Sequence, residues 1–162
     1  MNREILFRGK RTDNGEWVEG YLCECHHKDT GKYDYAIQEM FENGYIMHEV
    51  IPETVGQYTG LTDKNGKKIF EGDIFKFKDE VWESCYTSCG TEYDSWEVEN
   101  YGVVGFDEDT GRFDFIKYKY HENSVEADLH ENHDIEFSDF VDTLEVIGNI
   151  HDNPELMEVQ HE

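Results

Sequence analysis

The sequence predicts an all-β protein on three observations. Apolar and polar residues alternate over short runs, glycine-bearing turns separate those runs at hairpin spacing, and aromatic residues are abundant. Three Trp, ten Tyr and ten Phe stand among 162 residues, and such side chains are what a disordered acidic segment lacks. Only two prolines are present and no long amphipathic stretch of period 3.6. The expectation is one domain over residues 1–162, built as one or two small barrels or a barrel with an extra sheet.

The elements follow in order. Ile5 and Phe7 open the first run, which stops near Thr12-Asp13-Asn14-Gly15, and Trp17, Val18 and Tyr21 lie on the next. A turn at Asp29-Thr30-Gly31-Lys32 precedes Tyr33 to Ile37, and Asn43-Gly44 leads into Tyr45 to Ile51. Asn-Gly is a strong hairpin signal because both residues tolerate the positive φ of a type I′ turn. It recurs at Asn65-Gly66, between Thr59-Gly60-Leu61-Thr62 and Lys68-Ile69-Phe70. Gly72-Asp73 is followed by Ile74-Phe75-Lys76-Phe77, which is short, aromatic and β-prone. Tyr101 to Phe106 and Arg112 to Tyr120 flank Asp107-Glu108-Asp109-Thr110-Gly111 as another hairpin. Leu144, Val146, Ile147 and Ile150 make a last buried strand. A helix of at most two turns closes the chain, with Asn153 as cap, Pro154 at the first helical position and Glu155 complementing the dipole. Residues 79–100 and 121–140 carry the least pattern and are expected to form long acidic loops or inserted hairpins.

The charge is unevenly placed. The formal net charge is -24, far beyond the roughly 2 to 8 that keeps a small domain soluble. Residues 1–78 hold 11 Lys and Arg against 14 Asp and Glu, a net of -3, and residues 79–162 hold 3 against 24, a net of -21. Such a field disfavours nucleic acid and anionic membranes as partners and favours a basic protein. There is no run of about 20 apolar residues and no apolar signal core after Met1, so the expected compartment is the cytoplasm.

Several clusters could carry chemistry. Cys23-Glu24-Cys25-His26-His27 and Cys85-Tyr86-Thr87-Ser88-Cys89 offer the thiolates and imidazoles that zinc prefers. Cys23 and Cys25 are one residue apart on a strand, which points them the same way, so a joint site of Cys23, Cys25, Cys85 and Cys89 is geometrically open. The spacing fits zinc knuckles poorly, and half-buried structural thiols fit it better. His121 with His130-Glu131-Asn132-His133-Asp134 could hold a metal or a general base, but only two residues separate the last two histidines, unlike a helical HExxH site. Asp107, Asp109 and Gly111 suggest a calcium loop, yet Arg112 falls where an EF-hand needs glycine and Tyr118 where it needs glutamate. Gly60 to Lys68 lacks the Ser or Thr that follows a phosphate-loop lysine. Lys64, Lys67, Lys68, Lys76 and Lys78 interleave with Tyr58, Phe70, Phe75 and Phe77, which describes either a nucleic-acid face or a solvated surface over an aromatic core.

One stretch is more specific. Glu53-Thr54-Val55-Gly56-Gln57-Tyr58-Thr59-Gly60-Leu61-Thr62-Asp63-Lys64-Asn65-Gly66, continued through Lys67-Lys68-Ile69-Phe70-Glu71-Gly72-Asp73-Ile74, resembles the central signature of the YopX family of phage and prophage proteins of Gram-positive bacteria. Glu145-Val146-Ile147-Gly148-Asn149-Ile150-His151-Asp152-Asn153-Pro154-Glu155-Leu156 is similar to that family's C-terminal signature, and Phe7-Arg8-Gly9-Lys10 resembles its opening. The likeness spans the chain in family order and is thin between residues 79 and 143. It implies an all-β protein containing an SH3-like barrel, with no established activity and no catalytic residues to carry over; joined to the pattern of turns, the expectation is an all-β (mainly β) SH3-like small barrel with additional antiparallel hairpins, a short C-terminal helix and no cofactor.

Together these readings lead to the expectation of a non-enzymatic cytoplasmic protein that binds a basic host or phage protein through its acidic half, with mimicry of DNA charge as one way of doing so. The alternatives are a zinc module or metal-dependent enzyme using the Cys and His clusters, and a nucleic-acid-binding β-barrel. A homo-oligomer stays open.

Overall fold

The computed structural model describes residues 4–26, 33–87, 90–119 and 143–158. Ten strands make up nearly all of it: β1 Phe7–Lys10, β2 Trp17–His26, β3 Tyr33–Phe41, β4 Gly44–Val50, β5 Gly56–Thr62, β6 Lys68–Phe70, β7 Asp73–Thr87, β8 Gly90–Asp107, β9 Arg112–Lys119 and β10 Glu145–Asn149. They form two antiparallel sheets, in the orders β4-β3-β2-β1-β5-β6 and β10-β7-β8-β9. The chain is therefore mainly β. No ladder among the described residues closes either sheet into a barrel, although one bridge, Arg11 to Val50, ties the end of β4 back to the end of β1.

Gly72 joins the two sheets. Its φ of 79° is open to glycine and costly for other residues. Its N–H donates to Val104 O and its carbonyl accepts from Ile150 N, so β8 and the segment after β10 meet at one backbone unit. The base of the β7–β8 hairpin is buried on both faces. Phe75 and Val104 pack with Ile69, Leu144 and Val146 on one side, and Ile74 and Val103 pack with Met157 on the other. In the six-stranded sheet Val18, Ile37 and Val50 form a separate core, and Leu6, Tyr58 and Phe70 a third.

Several expectations are corrected. In the first strand Leu6 and Arg8 are buried and Ile5 is 57% exposed, the reverse of the expected phase. The Asn-Gly turns stand where expected but are not type I′, since among the described residues only glycines have positive φ. The Asn65-Gly66 turn is organised by Asp63 instead, whose Oδ1 accepts the N–H groups of Asn65 and Lys67 at 2.8 and 2.9 Å. Ile150 lies in a turn and is 38% exposed. The closing helix is a single 3-10 turn over Pro154–Met157, and Asn153 caps it with no side-chain hydrogen bond. Asn153 Oδ1 instead lies where Gly148 leaves room for it.

Residues 79–100 resolve the choice between loops and hairpins. The β7–β8 ladder runs without a break from Ile74 opposite Val103 to Thr87 opposite Gly90. The turn expected at Asp29–Lys32 and the segment 121–140 lie outside the described residues.

Candidate functional site

Three segments far apart in sequence converge at one place: the end of β1, the start of β7 and the turn after β10. Arg8 is the centre. Its Nη1 lies 2.6 Å from Asp73 Oδ1, with side chains 10% and 1% exposed, and its Nη2 donates to Glu71 O at 3.0 Å. The guanidinium stacks between two rings, 4.8 Å from the Trp17 centroid and 5.0 Å from that of Phe70, a geometry favourable to a cation desolvated between aromatic faces. Asp73 Oδ2 accepts Phe70 N–H at 2.8 Å, closing the tight turn at Glu71-Gly72. Burial pushes the Asp73 carboxyl up, and the opposing pull of Arg8 does not cancel it.

Asp152 forms the other half. It pairs with Lys10 Nζ and accepts Trp17 Nε1–H at 2.7 Å and Asn149 Nδ2–H at 2.8 Å. Burial pushes its carboxyl up, but hydrogen bonds from Lys10, Asn149 and Trp17 outweigh that and lower it to about 2. The His151 ring lies 6.0 Å from the Trp17 ring. Burial, then the charges of Arg8 and Lys10, lower its pKa and favour the neutral imidazole.

Chemically this is a clasp. Both oxygens of Asp73 and of Asp152 are engaged, and Arg8, Lys10, Trp17, Asp73, His151 and Asp152 include no hydroxyl or thiol. The arrangement can hold the two sheets and the segment after β10 together. Asp63 is a second clasp: besides its turn it accepts Val146 N–H through Oδ2 at 3.2 Å, tying β10 to the central segment. Burial raises its carboxyl, and the three backbone donors bring it below the ordinary value.

The residues singled out in the sequence are dispersed. Cys23 and Cys25 lie on β2, opposite Ala36 and Asp34 of β3, as half-buried free thiols. Cys23 Sγ is 3.7 Å from Gln38 Oε1. Cys85 is on β7 opposite Glu92, in the other sheet. Cys89, His121, His130 and His133 lie outside the described residues. Among the described residues no group of three or more His, Cys, Asp or Glu is placed to hold a metal. The basic set is largely paired: Lys64 with Glu145, Lys76 with Glu99 and Lys78 with Glu97, each at 2.6 Å. Of its aromatic companions, Tyr58, Phe70 and Phe75 are buried. Asp107 organises the β8–β9 hairpin, accepting from Asp109 N–H and the Thr110 hydroxyl.

Beyond Lys78 the β7–β8 ladder continues as an arm of nine pairs, Asp79–Val98 to Thr87–Gly90. Residues 79–107 contain eight carboxylates and no Lys or Arg. The register sets Glu80 opposite Glu97 and Glu83 opposite Asp94, and like charges directly opposite oppose strand pairing. No helix among the described residues is long and apolar enough to cross a membrane.

The clasp was missed in the sequence, but a signal for it existed. Each of the three signature-like segments contributes to it: Arg8 and Lys10, then Glu71 and Asp73, then Asn149, His151 and Asp152.

The comparisons bear on the whole chain. The family model described as YopX protein matches residues 6–158. No curated protein matches. A solved structure, "Crystal structure of protein EF1440 from Enterococcus faecalis", is similar at 23% identity, covering 96% of this chain and 99% of that one with a TM-score of 0.46.

Proposed function

The chain belongs to the YopX protein family, and from that premise we propose that it is a non-enzymatic binding protein whose acidic arm engages a basic protein. One observation carries the reading. The β7–β8 hairpin extends nine pairs past its last lysine, on the order of 25–30 Å at the usual rise per residue, and residues 79–98 of this arm hold six carboxylates and no Lys or Arg. Like-charged residues kept opposite one another weaken the hairpin in isolation and are relieved when a cationic surface lies across them. The partner is a basic host or phage protein, and the working compartment is the cytoplasm of a Gram-positive host carrying the phage or prophage. The acidic arm then works by charge presentation, as DNA does. The signature segments serve the scaffold: their Leu61, Ile69 and Val146 share one core with Phe75, Val104 and Phe115, six strands in all, which supports reading the central part as an SH3-like barrel.

Electrostatic steering gives such a complex a fast association that falls steeply with salt. The test is capture from a Gram-positive host lysate at low and at high salt, with the wild type and with an arm variant carrying Glu83→Lys and Asp94→Lys. A basic protein retained at low salt by the wild type and lost with the variant supports the reading. Salt-insensitive capture, or none, removes it.

A further inference from the structure

We propose that the β3–β4 hairpin is a second docking surface, an open sheet edge that takes up an extended basic peptide as an added antiparallel strand on β4. Glu49 O accepts Thr12 N–H and Ile51 N–H donates to Lys10 O, so residues 49 and 51 turn their backbone groups away from β3. The β3–β4 register is unbroken from Tyr35–Val50 to Phe41–Gly44. Outward and inward groups alternate along an antiparallel strand, so Tyr45 and Met47 also turn their N–H and C=O outward. The residues after the β1 strand cover the edge only at 49–51. The edge at 44–48 stands at the end of the six-stranded sheet with no strand beside it among the described residues.

Natural edges are usually guarded by shortness, a bulge, proline or lysine. β6, at the other end of the same sheet, has only three residues, and β10, at the edge of the second sheet, carries a register shift between Val146 and Gly148. β4 has seven residues, Gly-Tyr-Ile-Met-His-Glu-Val, with none of these protections. Around it Met40, Phe41, Tyr45, Ile46 and Met47 are 40–61% exposed. A patch of aromatic and methionine side chains flanking open backbone donors and acceptors is what strand addition uses: main-chain bonds for affinity, side-chain contacts for selectivity.

Charge selects the occupant. Residues 33–51 hold four carboxylates, Asp34, Glu39, Glu42 and Glu49, and no Lys or Arg. A second copy would bring the same acids together on molecules of net charge -24, whereas a peptide alternating lysine with an apolar residue meets both the rim and the patch.

The probe is a capped octapeptide of alternating lysine and valine, followed by amide NMR of the full chain. Two comparisons accompany it: the same peptide with glutamate for lysine, and the variant Met47→Pro. Because the Met47 N–H points outward, proline there removes a docking donor and no bond to β3. The expected result is perturbation of the Tyr45, Ile46 and Met47 amides by the basic peptide, with affinity reduced roughly tenfold or more by either change and the thermal midpoint of Met47→Pro near that of the wild type. Equal binding by Met47→Pro, perturbation centred elsewhere, or no perturbation at millimolar peptide overturns the proposal. So does protection of these amides that rises with protein concentration alone, which would assign the edge to a second copy. The Glu83→Lys, Asp94→Lys arm variant separates the two surfaces, since it retains peptide binding at β4 while losing the arm's partner.

Discussion

Arg8 and Asp73, 65 positions apart, form a buried ion pair at 2.6 Å that also binds two backbone groups of one turn, the Glu71 carbonyl through Arg8 Nη2 and the Phe70 N–H through Asp73 Oδ2. Removing one member of such a pair leaves the other buried without its counter-charge, typically at a cost of about 3–5 kcal/mol. Arg8→Met should therefore lower the urea midpoint sharply. Arg8→Met with Asp73→Asn should be milder than Arg8→Met alone, because no orphan charge remains. Arg8→Lys should recover little, since a lysine cannot reach the Glu71 carbonyl and Asp73 together while stacking on Trp17 and Phe70. Denaturation of the four proteins under one buffer checks the order.

The clasps make stability depend on acid in opposite senses. Asp63 and Asp152 are held below the ordinary aspartate value, Asp152 at about 2, so what they contribute is complete above that ordinary value and is lost as pH falls through their folded values. Asp73 is raised, so its protonation favours the folded state and its contribution declines as pH rises through its folded value. Asp152→Asn should flatten the fall in unfolding free energy between about pH 4 and pH 2, and Asp73→Asn should not. A pH series of chemical denaturation distinguishes them.

Asp63 should be costly to replace by alanine, because it is 5% exposed and three backbone donors lose their acceptor. Each buried donor left unsatisfied costs on the order of 1–3 kcal/mol, and the Val146 amide loses the tie between β10 and the central turn. Hydrogen exchange at Val146 should accelerate more than at Val18, in the other sheet.

Gly20 tests close strand approach. A Cβ at that position would overlap the Gln38 carbonyl of β3, so Gly20→Ala should destabilise by about 1–3 kcal/mol through overpacking. Glu19→Ala, one residue away and exposed, should stay within about 0.5 kcal/mol. Thermal melts of both variants suffice.

For the thiols, protein prepared without a histidine tag should carry less than about a tenth of an equivalent of zinc, and chelation should leave its melt unchanged. A full equivalent, with a chelator-sensitive melt, would return Cys23, Cys25, Cys85 and Cys89 to a common site.

The strands were legible where one face is buried, because alternation then has a phase, as at Val18 and Ile37, and where a short apolar run between turns is buried on both faces, as at Ile74-Phe75 and Val103-Val104. The hairpin at residues 79–100 had no such phase, since charges occur in both registers and only the pairing of β7 with β8 orders them. The clasp was illegible for another reason. Its members are locally ordinary turn and strand residues, and what unites them is the pairing of Arg8 with Asp73 and of Lys10 with Asp152, over 65 and 142 positions, which no local pattern encodes. Leu6 illustrates a smaller failure, in which the chain turned the residue beside the expected one inward.

The position of β10 also governs timing. Leu144 and Val146 complete the core around Phe75 and Val104, and Asp152 closes the contacts to Lys10 and Trp17. A ribosome that has made everything through β9 has therefore produced a domain that cannot yet shut. Contacts of this sequence separation place folding in the slow, millisecond-to-second class. Until residues 144–157 emerge, the open flank of β7 needs shelter, so this protein's exposure to misassembly is concentrated in the interval between the synthesis of β9 and that of β10.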